Sequence, residues 1–170
     1  MFHMEDFMKK SKSQKKDNNK KNIIKRDFSS KQPITKLLTD ISEVQCSDGK
    51  LYISPVFDCY NGEIVALEMR DNMKKELCID TVNQLKQRYG NLKGVILHSD
   101  RGCQYTAKRT KELIERHGFR KSMSRPGTPS DNQPIESFWR TLECEMPDIG
   151  HLTFEAATRT LIKYFELYYN

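Results

Sequence analysis

The sequence predicts an α/β fold built on a mixed sheet, with three antiparallel strands followed by alternating helices and strands. Three observations carry this expectation. Turn signals at Asp48-Gly49 and Asn61-Gly62 separate three apolar extended runs. A helical periodicity takes over from Lys75 to Tyr89. A short apolar run over 94–100 then follows, as expected of a buried parallel strand.

The N-terminal residues stand apart. Residues 1–31 carry ten Lys or Arg against four Asp or Glu, whereas 32–170 carry 19 of each, so the whole formal charge of +6 sits at the start. The stretch from Lys9 to Arg26 is low in complexity and nearly free of apolar residues, so residues 1–32 read as a basic disordered tail or linker. Pro33 then opens a structured domain over 33–170. A tail of this kind adds affinity for DNA, if DNA is the partner, by releasing counterions from phosphates.

Within the domain, the first strand is expected over Leu37–Val44, the second over 51–58 (LYISPVFD) and the third over 63–69 (EIVALEM). The helix from Lys75 has apolar residues at 77, 78, 82, 85 and 89, and Gly90 stops it. GVILHSD, 94–100, is the buried strand. Thr106 is expected to cap a helix reaching His117 and closed by Gly118. Residues 119–124 suit a last short strand, and 125–134 (RPGTPSDNQP) a loop in which Asp131-Asn132 could cap the next helix. Helices follow from Ile135 to about Glu145 and from Thr153 to the end. This order is the topology of a ribonuclease-H-like mixed sheet flanked by helices.

Five scattered cysteines with no C-x-x-C pair argue against a disulfide framework and against a cysteine-rich zinc site. No apolar stretch of about 18 residues is present, so a cytoplasmic protein with no membrane partner is expected.

Acidic residues at the ends of buried strands need explaining. Asp40 interrupts an apolar run, LLTDISEV, on the face shared by Leu38 and Ser42, where an Asp is unfavourable unless paired, capped or metal-bound. Asp100 ends a buried strand, where open α/β sheets place their ligands. Glu136 lies in the first turn of a helix. Singly, each is as well explained as a turn former, an Asx residue or a first-turn acid.

Together they read differently. TDIS (39–42), YISPVFDCYNGEIV (52–65), LHSDRGCQYTA (97–107) and MSRPGTPSDNQPIESFWRTL (123–142) resemble the DDE transposases of the bacterial IS-three family, relatives of retroviral integrases. Between Asp100 and Glu136, 35 residues intervene, the spacing that this family and the integrases share. The resemblance runs from about Arg26 to Asn170.

It implies metal-dependent DNA strand cleavage and strand transfer in transposition, with Asp40, Asp100 and Glu136 as catalytic metal ligands. Two Mg²⁺ (or Mn²⁺) ions are expected, about 4 Å apart, with Asp40 bridging both, Asp100 holding one and Glu136 the other. The implied partners are insertion-element ends and target DNA, in a homo-oligomer that is nucleoid-associated when bound. Arg101, Gln104, Lys108, Arg120, Lys121, Arg125 and Arg140 are candidate DNA contacts. His98 reads as a structural histidine rather than a ligand, and Trp139 rather than Phe138 as the core aromatic.

Three departures stand against the family pattern. Glu143 occupies a position, seven after the acidic Glu136, where the family carries Lys or Arg. Leu37 stands where a Trp is usual. No helix-turn-helix segment precedes Lys36, and the sequence stops at Asn170, short of the family's basic extension. The alternative expectation is a truncated, inactive transposase remnant that only binds DNA or full-length subunits.

Overall fold

The computed structural model describes residues 21–146 and 148–170, so most of the basic tail lies outside the described residues. The elements are β1 (Lys36–Thr39), β2 (Ser42–Cys46), β3 (Gly49–Asp58), β4 (Ile64–Arg70), α1 (Lys75–Tyr89), β5 (Ile96–Ser99), the single turn α2 (Cys103–Thr106), α3 (Lys108–Arg116), β6 (Arg120–Met123), a 3₁₀ turn (Pro129–Asn132), α4 (Gln133–Glu145), α5 (Phe154–Tyr164) and a closing π turn (Phe165–Tyr169).

The sheet is mixed, as expected. β3 pairs antiparallel with β1, β2 and β4, while β5 lies parallel between β1 and β6. Because successive strand residues face opposite sides, Leu37 and Leu38 enter different cores. Leu38 joins Ile53, Ile135, Phe138, Leu142 and Leu161 under α4 and α5. Leu37 joins Val56, Val82, Leu85, Leu97 and Ile114 under α1 and α3. The result is three layers, helix–sheet–helix. Leu37 is fully buried, so it fills core space.

One difference concerns the first strand. The expected run Leu37–Val44 is broken into β1 and β2 at Asp40-Ile41. Both pieces pair with β3, and the register is the same on both sides of the gap: Thr39 faces Val56 and Ser42 faces Ile53. Asp40 therefore lies opposite Pro55. On the other side of β3, Pro55 faces Leu67, whose N–H and C=O are both taken up by the Gln84 side chain. Pro55 must then turn its own backbone groups toward Asp40, consistent with its carbonyl accepting from Thr39 Oγ1 at 2.9 Å. Proline has no N–H to give, so the ladder opens there.

Other differences are smaller. Asn61-Gly62 lies in a five-residue connection between β3 and β4 rather than a two-residue hairpin, with Gly62 at φ 79°. Thr106 does not cap α3; its hydroxyl donates to the Cys103 carbonyl. Thr153 does cap α5, accepting from the Ala156 N–H. Residues assigned to the tail take part in the packing: Ile24 is 3% exposed within the α4–α5 core, and the Ile23 N–H donates to Ser122 Oγ at 2.8 Å. Among the described residues no helix is long and apolar enough to cross a membrane.

Candidate active site

Three separate elements supply the acids. β1 and β5 run parallel with Leu38 beside His98, so the same register carries Asp40, in the strand break, alongside Asp100, just past β5. Glu136 comes from the first turn of α4. All three line one polar cleft of about 410 Å³, together with Arg101, Ser124, Arg125, Asn132 and the turn 126–129.

Asp40 is the most deeply set of the three. Its Oδ2 accepts from Trp139 Nε1 at 3.0 Å. Burial first, and then the nearby charges of Asp100 and Glu136, push its carboxyl up to about 6, against the lowering effect of the indole hydrogen bond. Asp100 is exposed, and its Oδ1 accepts from the Gly102 N–H at 2.9 Å, an Asx turn that fixes the carboxylate where β5 ends. Asp40, Asp100 and Glu136 make no ion pair with a basic residue among the described residues. Nor are any three His, Cys, Asp or Glu side chains among those residues drawn together as closely as a bound metal ion would hold them.

Beneath the cleft, His98 is buried between two hydroxyls, Nδ1 with Ser122 Oγ at 2.8 Å and Nε2 with Ser124 Oγ at 3.0 Å. Burial brings its pKa down to about 4, so it is a neutral structural residue, as expected.

The basic candidates divide. Arg101 and Arg125 line the cleft. Gln104 turns away to donate to the Met73 carbonyl, and Lys121 donates to the Tyr105 carbonyl at 2.6 Å. Lys108 sits 3.8 Å from Glu112 on exposed α3. Arg120 opens β6, at the end of the strand remote from Asp100, and exposed Arg140 lies one turn beyond Glu136. Glu143 is not in this cleft: it borders a separate, mostly apolar groove with Val44, Ile53, Trp139 and Leu142.

Two roles escape the sequence reading. The core aromatic is Phe138, at 2% exposure, while Trp139 is half-buried against it, ring centroids 4.8 Å apart, and holds Asp40. The spacing Ile135, Phe138, Leu142 marks the buried stripe of α4 and could have shown this. Asp131 is not a cap. Fully buried, it accepts from Asn22 Nδ2, Arg26 Nε and the Arg125 N–H, Nε and guanidinium NH2, tying the segment at 22–26 to the loop that walls the cleft. These donors hold its carboxyl well below the usual range.

Comparisons with known proteins agree with this architecture. The integrase core domain family matches residues 30–129, which take in Asp40 and Asp100. An uncharacterized transposase-like protein of Haemophilus influenzae is 37% identical over 152 residues, covering 88% of this chain and 68% of that protein. The transposase for insertion sequence element IS904 of Lactococcus lactis is 34% identical, over 88% of this chain and 59% of its own length. In fold, the chain is similar to the catalytic core domain of HTLV-2 integrase, a structure in complex with magnesium: TM-score 0.55, 13% identity, 82% of this chain and 91% of that one. The family match over more than half of the chain and the transposase-like relative show that this chain belongs to the integrase core domain family, among the DDE transposases of bacterial insertion sequences.

Proposed function

We propose that the chain is the catalytic core of an insertion-element transposase, cutting and rejoining DNA at a metal site formed by Asp40, Asp100 and Glu136. The observation that carries this is convergence: three acids from the β1–β2 break, the end of β5 and the start of α4 line one cleft, and Asp40 feels the charge of both others.

The residues fit divalent metal. Carboxylate oxygens suit Mg²⁺ or Mn²⁺, and a half-buried carboxylate repelled by two neighbours is relieved by a cation. When bound, two such ions would activate the attacking oxygen and stabilise the leaving one around a single phosphorus. The chain's part is to bring the three carboxylates to one cleft and to frame the DNA. Arg101 and Arg125 line the same cleft and are the side chains suited to a DNA phosphate there, and Asp131 fixes the Arg125 guanidinium at the cleft wall. No covalent protein–DNA intermediate is needed, so no nucleophilic side chain is required. The basic residues of the N-terminal segment add sequence-independent affinity for DNA ends and target, and a homo-oligomer is the arrangement that would bring two ends together.

The test is calorimetry with Mg²⁺, then nicking of element-end DNA. Binding by the wild type that weakens in Asp40→Asn and Glu136→Gln, with metal-dependent nicking lost in Asp100→Asn, supports the reading. A folded wild type that binds metal yet leaves DNA intact would refute cleavage by this chain and favour the alternative, a chain that binds DNA or longer transposase subunits.

A further inference from the structure

Trp139 is the one tryptophan of the chain, and its N–H lies 3.0 Å from an oxygen of Asp40. We propose that Trp139 is the positioning residue for Asp40, fixing its Oδ2 through the indole N–H so that the carboxylate is set for metal before metal arrives. The proposal rests on the metal-site reading above and deepens it.

Asp40 needs such a partner. Its stretch of backbone has left the ladder opposite Pro55, so the sheet holds it less firmly than a residue within a strand. A carboxylate next to two others would swing toward water unless a donor holds it. Indole is suited to this task, because it donates and cannot accept, so it cannot compete for a cation. The ring itself packs against Phe138, which in turn packs in the core with Phe165 and Tyr169.

The geometry also couples two of the acids. Glu136 and Trp139 are three residues apart on α4, close to one helical face. A single rigid helix therefore presents one acid directly and holds another by its neighbour. A shift of α4 would displace both together, whereas Asp100 is set independently by its own turn.

Partners that orient metal ligands cost roughly 10–100-fold in metal affinity when removed. The experiment uses the full chain. Trp139→Phe keeps an aromatic ring and deletes the donor. Its expected behaviour is a metal-free Tm close to wild type with Mg²⁺ affinity, by calorimetry, lower by about tenfold or more. In the wild type, tryptophan emission should change on adding Mg²⁺, with the midpoint found by calorimetry. Trp139→Phe binding Mg²⁺ as tightly as wild type would overturn the proposal. Should that variant fail to fold, the wild-type emission decides, and saturating Mg²⁺ that leaves it unchanged is equally fatal. Both of these results leave the metal site itself standing. A wild type showing no calorimetric binding removes the site, and the proposal with it.

Discussion

Asp40→Asn should stabilise the metal-free protein. Burial and the charges of Asp100 and Glu136 hold the Asp40 carboxyl at about 6, against 3.8 for an ordinary Asp. Because the folded state binds this proton more tightly than the unfolded state, stability falls as pH rises from about 4 to 6, and the loss is complete above that. At about 1.4 kcal/mol per pH unit the full penalty is about 3 kcal/mol; with Asp40 still partly open to water, about 2 kcal/mol is expected. Asn keeps an oxygen for Trp139 and removes the charge. At pH 8 in chelator, the variant's Tm should therefore rise by roughly 4–8 °C, a gain that shrinks toward zero near pH 4. Mg²⁺ should narrow or reverse the order, because the wild type, binding it more tightly, gains more by mass action. Thermal unfolding at pH 4, 6 and 8, with and without metal, reads all of this. An Asp40→Asn protein less stable than wild type at pH 8 without metal would refute the reasoning, since the carboxylate would then be contributing to the fold.

Other consequences can be measured alongside. Asp131→Asn breaks a buried pairing with two half-exposed arginines and should lower stability by about 2 kcal/mol, or roughly 4–8 °C in Tm. Since the Asp131 carboxyl is held low, its contribution is present above the ordinary carboxylate range and is lost as pH falls below it. His98, with a pKa near 4 rather than 6.5, makes the fold less stable as pH drops between those values, by about 3 kcal/mol in all. His98→Gln should flatten that part of the urea-denaturation profile; an unchanged slope would assign it to other groups. Pro55→Ala restores a backbone donor opposite Asp40, so Tm should move by only a few degrees while calorimetric Mg²⁺ affinity falls. Unaltered affinity would show that the strand break does not depend on proline.

Local signals are legible in this sequence and long-range ones are not. The periodicity at 77, 78, 82 and 85 sets α1 at Lys75–Tyr89, because a long amphipathic stripe is self-contained. The acids, their order and spacing are visible in the chain, and the cleft brings the three together. What escaped is pairwise. The gap at Asp40 lies opposite a proline 15 residues away on another strand, and a propensity reading of LLTDISEV contains nothing of it. Hydrophobicity alone favours burying the indole of Trp139 rather than the Phe138 ring, whereas the carboxylate that claims the indole N–H lies 99 residues away. Ile24 looked like part of a solvated run because its contacts, with α4 and α5, come from the far end of the chain.

The missing hydrogen bond to β3 at the break between β1 and β2 has a wider meaning. Most folds place a charged group at a loop tip, where position is bought with mobility. Here the charge stands in mid-sheet, between two paired segments that share one register, so the backbone on both sides is anchored while the side chain leaves the strand to meet Trp139. An omission in the partner strand creates the opening, and no residue has to be inserted to make it. Sequence change at position 55 would therefore tune or erase the opening without touching any acid, and reshape the acidic cleft while the fold survives intact.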